Sequence, residues 1–209
     1  MVKQSFQSRA FLLLGVVSLI YIVFLSAFYS VYHNSYFFKA SFEELGVYRL
    51  GNETDSLNAA VLDYLNDYGS DGFSPILLEN FQEKERSHLS DVKQLLTLLG
   101  YLYVLAWAIT AVLLGFKKVQ ASPLLLYSGI FSLVLLFLLF LGSFSFDNLF
   151  LTFHEVFFPQ GNYYFPSGQY LITRLYPEAF FANFFARILL YLLLYSGFLC
   201  IFACYSKAH

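Results

Sequence analysis

Residues 124–146 read LLLYSGIFSLVLLFLLFLGSFSF, and residues 147–158 continue DNLFLTFHEVFF. The first stretch, Leu124 to Phe146, carries no charge and exceeds the roughly 20 residues that cross the hydrocarbon of a bilayer. It therefore reads as a membrane span, and that reading puts the fold in lipid. The second stretch sets Asp147 and His154 among aromatic and aliphatic residues where the span leaves the bilayer. Seven residues make about two helical turns, so both side chains face the same way on a helix. Titratable groups are costly near hydrocarbon, which makes such a pair a functional-site candidate. The plainer reading is an interfacial histidine satisfied by water.

Composition extends the membrane reading to the whole chain. Of 209 residues, 58% are hydrophobic, 21% aromatic and only 12% charged, against about 25% charged in soluble domains. Four long apolar runs stand out, at about 11–32, 95–116, 124–146 and 180–203. They predict an all-α, four-helix integral membrane protein forming a single domain over 1–209. The intervening segments 33–94 and 147–179 supply a cap of short helices and short strands. The first run is longer than a signal-peptide core of about 7–15 residues and no clean small-x-small site follows it, so it reads as a retained helix.

Charge sets the expected orientation. Lys3, Arg9, Lys117, Lys118 and Lys207 fall on one side with no acid among them, while every Asp and Glu lies in the other segments. The basic N-terminus and the Lys117-Lys118 turn predict a multi-pass protein with both termini in the cytoplasm and both longer segments facing outward. Cys200 and Cys204 lie four apart near the inner end of the last span, which excludes an outer disulfide framework and reads as buried small residues. Asn52-Glu53-Thr54 is a glycosylation sequon of consequence only in a eukaryote.

Within the first outer segment, Ser35 to Leu50 shows no clear helical period and suits short strands. Leu57, Val61, Leu62, Leu65 and Tyr68 recur at helical spacing, with Asp63, Asn66 and Asp67 opposite, and predict an amphipathic helix ended by Gly69-Ser70-Asp71-Gly72. His88 and Asp91 precede the second span and are helical neighbours; a carboxylate beside an imidazole fixes its tautomer and raises its basicity. A solvated helix start is the plainer reading of that charged run. In the second outer segment Phe146, Phe150, Phe153 and Phe157 form an apolar helix side, Pro159 and Gly161 stop it, and Tyr163, Tyr164 and Phe165 suit a turn or short strand. Pro177 fits the first turn of the last helix.

Several chemistries are excluded. His154-Glu155-Val156-Phe157-Phe158 starts like a zinc-protease motif but lacks its second histidine. There is no Gly-x-Ser-x-Gly elbow, no phosphate loop, no outer cysteine and no basic patch for nucleic acid. What remains is two outer histidines, each with an aspartate at helical spacing. Imidazole titrates near pH 6.5 and suits proton transfer. With no enzyme nucleophile, the fitting reaction is one whose two reactants arrive in a single lipid, where proximity replaces covalent capture. If both histidines serve one site, their imidazoles lie within about 12 Å, since the two spans between them are antiparallel and joined by a short turn.

The pattern His88-x-x-Asp91-Val92-Lys93, together with Phe146, Asp147, Phe150, Phe153, His154, Phe157 and Phe158 at their spacing, resembles the lipoprotein intramolecular transacylase family of Gram-positive bacteria. Leu171-Ile172, Pro177 and Phe180-Phe181 also fit, and the four-span layout agrees over essentially the whole chain. Tyr163 stands where the family has a tryptophan, and Gln169 at an acidic position. The resemblance implies acyl transfer from the sn-2 ester of a diacylglyceryl-cysteine to its α-amino group in the cell membrane, yielding a lyso-form lipoprotein without metal or nucleotide. It implies His154 and His88 as catalytic, Asp147 and Asp91 as supporting, and Phe153, Phe157, Phe158 and Tyr163 as substrate-binding. The partners implied are membrane lipid and the diacylated lipoprotein. Two alternatives stay open at this point: a non-enzymatic accessory protein that binds lipid or a partner through its aromatic cap, and a metal-dependent lipid hydrolase.

Overall fold

The computed structural model describes residues 2–208 except Asp71 and Ser167, with side chains described from Ser8 to Ser206. Asp71 of the expected helix terminator, and the Lys3 and Lys207 side chains, lie outside the described residues. The described chain is helical throughout: α1 (Val2–Tyr32), α2 (Ser35–Glu44), a 3-10 turn (Val47–Leu50), α3 (Thr54–Asn66), α4 (Pro75–Asn80), α5 (Glu83–Gly115), α6 (Ala121–Ser143), α7 (Phe146–Phe157), α8 (Leu171–Leu175) and α9 (Glu178–Ala208). Four of these, α1, α5, α6 and α9, are long and apolar enough to cross a membrane. The chain divides into two compact units, one of residues 1–34, 101–144 and 185–209, the other of 35–100 and 145–184.

The first unit is a bundle. Val16, Leu19, Ile22, Ala106 and Leu124 form its core, flanked by Leu12, Ile20, Tyr21 and Leu199. Ser26 Oγ bonds Tyr103 Oη at 2.9 Å and Ser30 Oγ bonds Tyr195 Oη at 2.7 Å, tying α1 to α5 and α9. In lipid the hydrophobic effect does not drive helices together, so close backbone approach and interhelical hydrogen bonds matter more. Small residues provide that approach: Ser128, Gly129 and Ser132 of α6 are buried, as is Ser196 of α9. Large apolar side chains such as Trp107, Phe131, Phe137, Leu138 and Ile201 are exposed, as a lipid-facing surface requires. Cys200 is half-buried against this seam, but Cys204 is exposed, contrary to the buried role expected of both.

The second unit is also helical, which corrects the strands expected over Ser35–Leu50. Phe37, Phe38, Ser41 and Phe42 bury one side of α2. The polar Ser41 on that side hides the helical period in the sequence. Tyr163–Phe165 lies in a turn without strand pairing. Helix α3 covers the expected amphipathic segment as far as Asn66 and buries Leu57, Val61 and Leu65 as expected, with Tyr64 beside them, whereas Tyr68 lies beyond it and is exposed. The third span ends at Ser143 rather than Phe146, because Ser145 leaves helical backbone and Phe146 starts α7. Around Phe42, the rings of Phe38, Tyr176 and Phe180 pack at centroid separations of 6.3, 6.0 and 5.7 Å.

A β-carbon at position 129 would stand 2.5 Å from Cys200 Sγ and 3.1 Å from the Ser196 carbonyl oxygen. The sulfur can swing aside but the backbone carbonyl cannot, so Gly129→Val separates α6 from α9. Thermal unfolding in detergent is expected at a Tm several degrees below the parent's, whereas Gly115→Ala, where a β-carbon meets nothing within 4 Å, leaves it unchanged.

Candidate active site

The site lies within the second unit, where the start of α5 meets α7 and the loop after it. At 33 residues α5 is about 50 Å long, more than the roughly 30 Å of hydrocarbon, so its first turns, which carry His88, stand outside the apolar stretch that starts near Leu95. A carboxylate organises this end. Glu85, 0% exposed, accepts a hydrogen bond from the backbone N–H of Gln82 at 2.7 Å and another from Ile172 at 2.7 Å. The first bond is half of a capping box at the start of α5, and the second satisfies a free N–H in the first turn of α8. One side chain thus joins two helix starts.

His88, one turn further along α5, is 7% exposed. Its ring centroid is 5.8 Å from that of His154, with 30° between the planes. The two histidines expected to share a site are therefore adjacent. Phe158 packs against both, 4.8 Å from His88 and 5.6 Å from His154. Phe165 lies 5.6 Å from His88; Phe150, Phe153 and Tyr163 lie 4.3, 5.4 and 5.2 Å from His154. Phe158 is buried, whereas Phe153 and Phe157 keep nearly half their surface exposed, so the latter two offer apolar surface to a ligand.

The tautomer of His154 follows from its contacts. Nδ1 lies 2.7 Å from the carbonyl oxygen of Phe150. A carbonyl only accepts, so Nδ1 carries the proton and Nε2 keeps its lone pair as a base. Burial holds His154 below the ordinary imidazole pKa, against the opposing effect of that bond. Burial and then the neighbouring His154 push His88 from 6.5 down to about 4, opposed by Asp91 and by Asn162.

Asp91 acts at one remove. Its Oδ2 accepts 2.6 Å from Gln160 Nε2 and also from Asn162 Nδ2, which in turn reaches Ser87 Oγ at 3.0 Å. His88 Nδ1 and Asn162 Oδ1 are both buried without a hydrogen-bond partner of normal geometry, and the two side chains lie close enough to interact. Asp91 thus fixes Asn162, and Asn162 faces His88. Asp147 is elsewhere: its carboxyl hydrogen-bonds Glu178, whose pKa is raised by burial and by the charge of Asp147. Lys84 donates at 2.6 Å to the Tyr164 carbonyl and lies 5.2 Å over Phe165, anchoring the loop beside His88.

Gln160, Asn162 and Glu85 escaped the sequence reading. The two amides sit in a loop with no periodicity, and Glu85 lacks the Ser or Thr that would mark a capping box. Among the described residues no group of three or more His, Cys, Asp and Glu is placed to hold a metal ion.

Fold and site together define a polytopic helical membrane protein with two adjacent imidazoles in an aromatic enclosure. The chain belongs to the lipoprotein intramolecular transacylase family, whose model matches residues 12–181. It is accordingly an acyltransferase with a lipoprotein substrate, which decides against the accessory-protein reading. No curated protein matches it significantly. Its fold is that of the membrane integral lipoprotein intramolecular transacylase Lit from Bacillus cereus, with a TM-score of 0.85 and 22% identity over 96% of both chains. Two variants of that protein, with a histidine changed to arginine or to alanine, match at a TM-score of 0.80 and 21% identity, each over 98% of this chain and over 93% and 95% of their own.

Both imidazoles have lowered pKa values in the folded state, so the unfolded chain takes up protons first as pH falls. Their contribution to stability is complete above about pH 6.5 and is lost as pH falls below it, for His88 toward about 4. For His88 the loss amounts to about 3 kcal/mol at most. Tm measured between pH 7.5 and 4.5 is expected to fall several degrees further in the parent protein than in His88→Asn, which cannot acquire the charge.

Proposed function

We propose that His154 Nε2 is the base that takes a proton from the α-ammonium of a diacylglyceryl-cysteine. The freed amine attacks the carbonyl of the sn-2 ester in the same molecule. The new C–N bond forms, the C–O bond to glycerol breaks, and His154 returns the proton to the departing glyceryl oxygen; the attacking nitrogen gives up a second proton, so the three ammonium protons end on the amide, on the glyceryl hydroxyl and in water. The product is an N-acylated lyso-form of unchanged mass. The observation that carries this reading is the bond from His154 Nδ1 to the Phe150 carbonyl, which leaves Nε2 unprotonated beside a second imidazole. A base with a lowered pKa is neutral at pH 7 and ready to accept.

His88 assists from the opposite side, with Asn162 and Asp91 orienting it. Asp147 supports the site indirectly by fixing the start of α7 to Glu178. Phe153, Phe157 and Tyr163 hold the acyl chains and Phe158 holds the imidazoles. Excluding water protects the ester from hydrolysis, and holding ester and amine together supplies the proximity that replaces a covalent intermediate. Membrane lipid surrounds the protein. The basic residues Arg9, Lys117 and Lys118 favour an orientation with both termini in the cytoplasm and the histidines outside.

The test is conversion of a diacylated lipopeptide by the protein in nanodiscs, with product and substrate separated by chromatography and told apart by tandem mass spectrometry. The parent forms the isomer. His154→Gln, with an unchanged Tm, is expected to lose about 10²–10⁴-fold in turnover; full activity in that variant would remove His154 from the mechanism.

Asn162→Ala isolates the orienting role. Turnover is expected to fall about tenfold with little change in KM. Because Asn162 raises the His88 pKa, the His88 imidazole resonances followed by NMR also titrate at lower pH in the variant. A loss of rate with an unmoved His88 titration would mean that Asn162 only supports the loop.

A further inference from the structure

The second unit contains a cavity of about 530 Å³ that the reaction as described leaves without a role. Its walls come from three places: the Gly51–Glu53 loop before α3, the Asn80–Glu85 turn into α5, and Gln169 to Arg174 around α8. The lining is largely polar, with two carboxylates against one guanidinium. Four primary amides, Asn52, Asn80, Gln82 and Gln169, accompany Glu53, Glu85 and Arg174. We propose that this cavity binds the polypeptide that follows the lipid-modified cysteine of the substrate. The inference rests on the transacylase reading above and names the part of the substrate that the reaction leaves unplaced.

Three features support this. The first is position. Glu85 forms part of the wall and lies three residues before His88 on α5, about 4.5 Å along the axis. A chain extending at about 3.4 Å per residue from a cysteine at His88 reaches the cavity within one or two residues. The second is chemistry. A carboxamide both donates and accepts, as a peptide group does, so amide-lined walls can pair with backbone of any sequence. Two carboxylates, Glu53 and Glu85, make the same lining a poor match for the phosphate of a lipid headgroup. The third is rigidity. Thr54, 1% exposed, donates through Oγ1 to the Gly51 carbonyl at 2.8 Å, and Glu85 locks the opposite wall to Ile172. The volume falls within the about 300–1,000 Å³ usual for small-ligand sites and accepts a few extended residues, not a folded domain.

The experiment compares S-diacylglyceryl-cysteine amide with a diacylated lipopeptide carrying five further residues, using the full-length protein in nanodiscs. In the parent, kcat/KM for the longer substrate is expected to exceed that for the amide about tenfold, through KM. Gln169→Trp and Arg174→Gln change exposed side chains, and each is expected to bring this ratio close to one. The ratio is insensitive to partial loss of folded protein. A benzoylphenylalanine at the third residue of the lipopeptide is expected to crosslink to segments 50–57, 80–85 or 169–174. Equal kcat/KM for both substrates in the parent, a ratio unmoved by both substitutions, or crosslinks confined to other segments would each overturn the inference. Conversion of the amide with no length dependence leaves the transacylase reading intact and removes the peptide site alone; conversion of neither substrate removes both.

Discussion

The buried carboxylate of Glu85 is the constraint on which the site depends. It has no solvent to hydrate it, so its two oxygens must be satisfied by the chain, and the groups that do so are N–H donors from the first turns of two different helices. Each bond from an N–H to a charged acceptor contributes about 1.5–3 kcal/mol, and more than that is lost when one partner is removed and the other stays buried. The geometry is therefore tightly determined. The phase at which α5 begins sets where His88 points, and the anchored start of α8 forms the wall beside it.

On that frame the site works by exclusion. Placing two imidazoles among phenylalanine rings costs desolvation energy, and lowering their pKa values relieves that cost by keeping them neutral. Neutral imidazoles are what proton transfer from an ammonium near pH 7 requires. The same rings that raise the desolvation cost present apolar surface, so under the proposed mechanism its two requirements, a neutral base and a dry site for acyl chains, have one structural cause. The polar groups beside the imidazoles are correspondingly few: a helical carbonyl for His154, and Asn162 held by Asp91 for His88.

The two units use different packing chemistry. In the bundle, serines, a glycine and tyrosine hydroxyls let helices approach and bond across the seam, because lipid leaves little hydrophobic driving force between them. In the second unit, aromatic rings and short helices form a core of the kind found in water-soluble proteins, with Lys93 donating to the Ser70 carbonyl and resting 4.4 Å over the Tyr64 ring.

The sequence by itself determined the four spans, because an uncharged run of twenty or more apolar residues has few alternatives to crossing a bilayer. It also marked His88 and His154, since titratable groups near such runs are conspicuous, and the helical spacing of α3 and α7 was legible from their apolar periodicity. The strands anticipated over Ser35–Leu50 became α2 and a 3-10 turn, because a buried serine broke the pattern on the face that packs. Only the tertiary structure decided that the two imidazoles lie 5.8 Å apart, that Asp91 reaches His88 through Asn162, and that Asp147 pairs with Glu178 instead of facing His154. Those relations join residues 31 to 74 positions apart, and local spacing carries no information about which side chains meet across separate helices and an aperiodic loop.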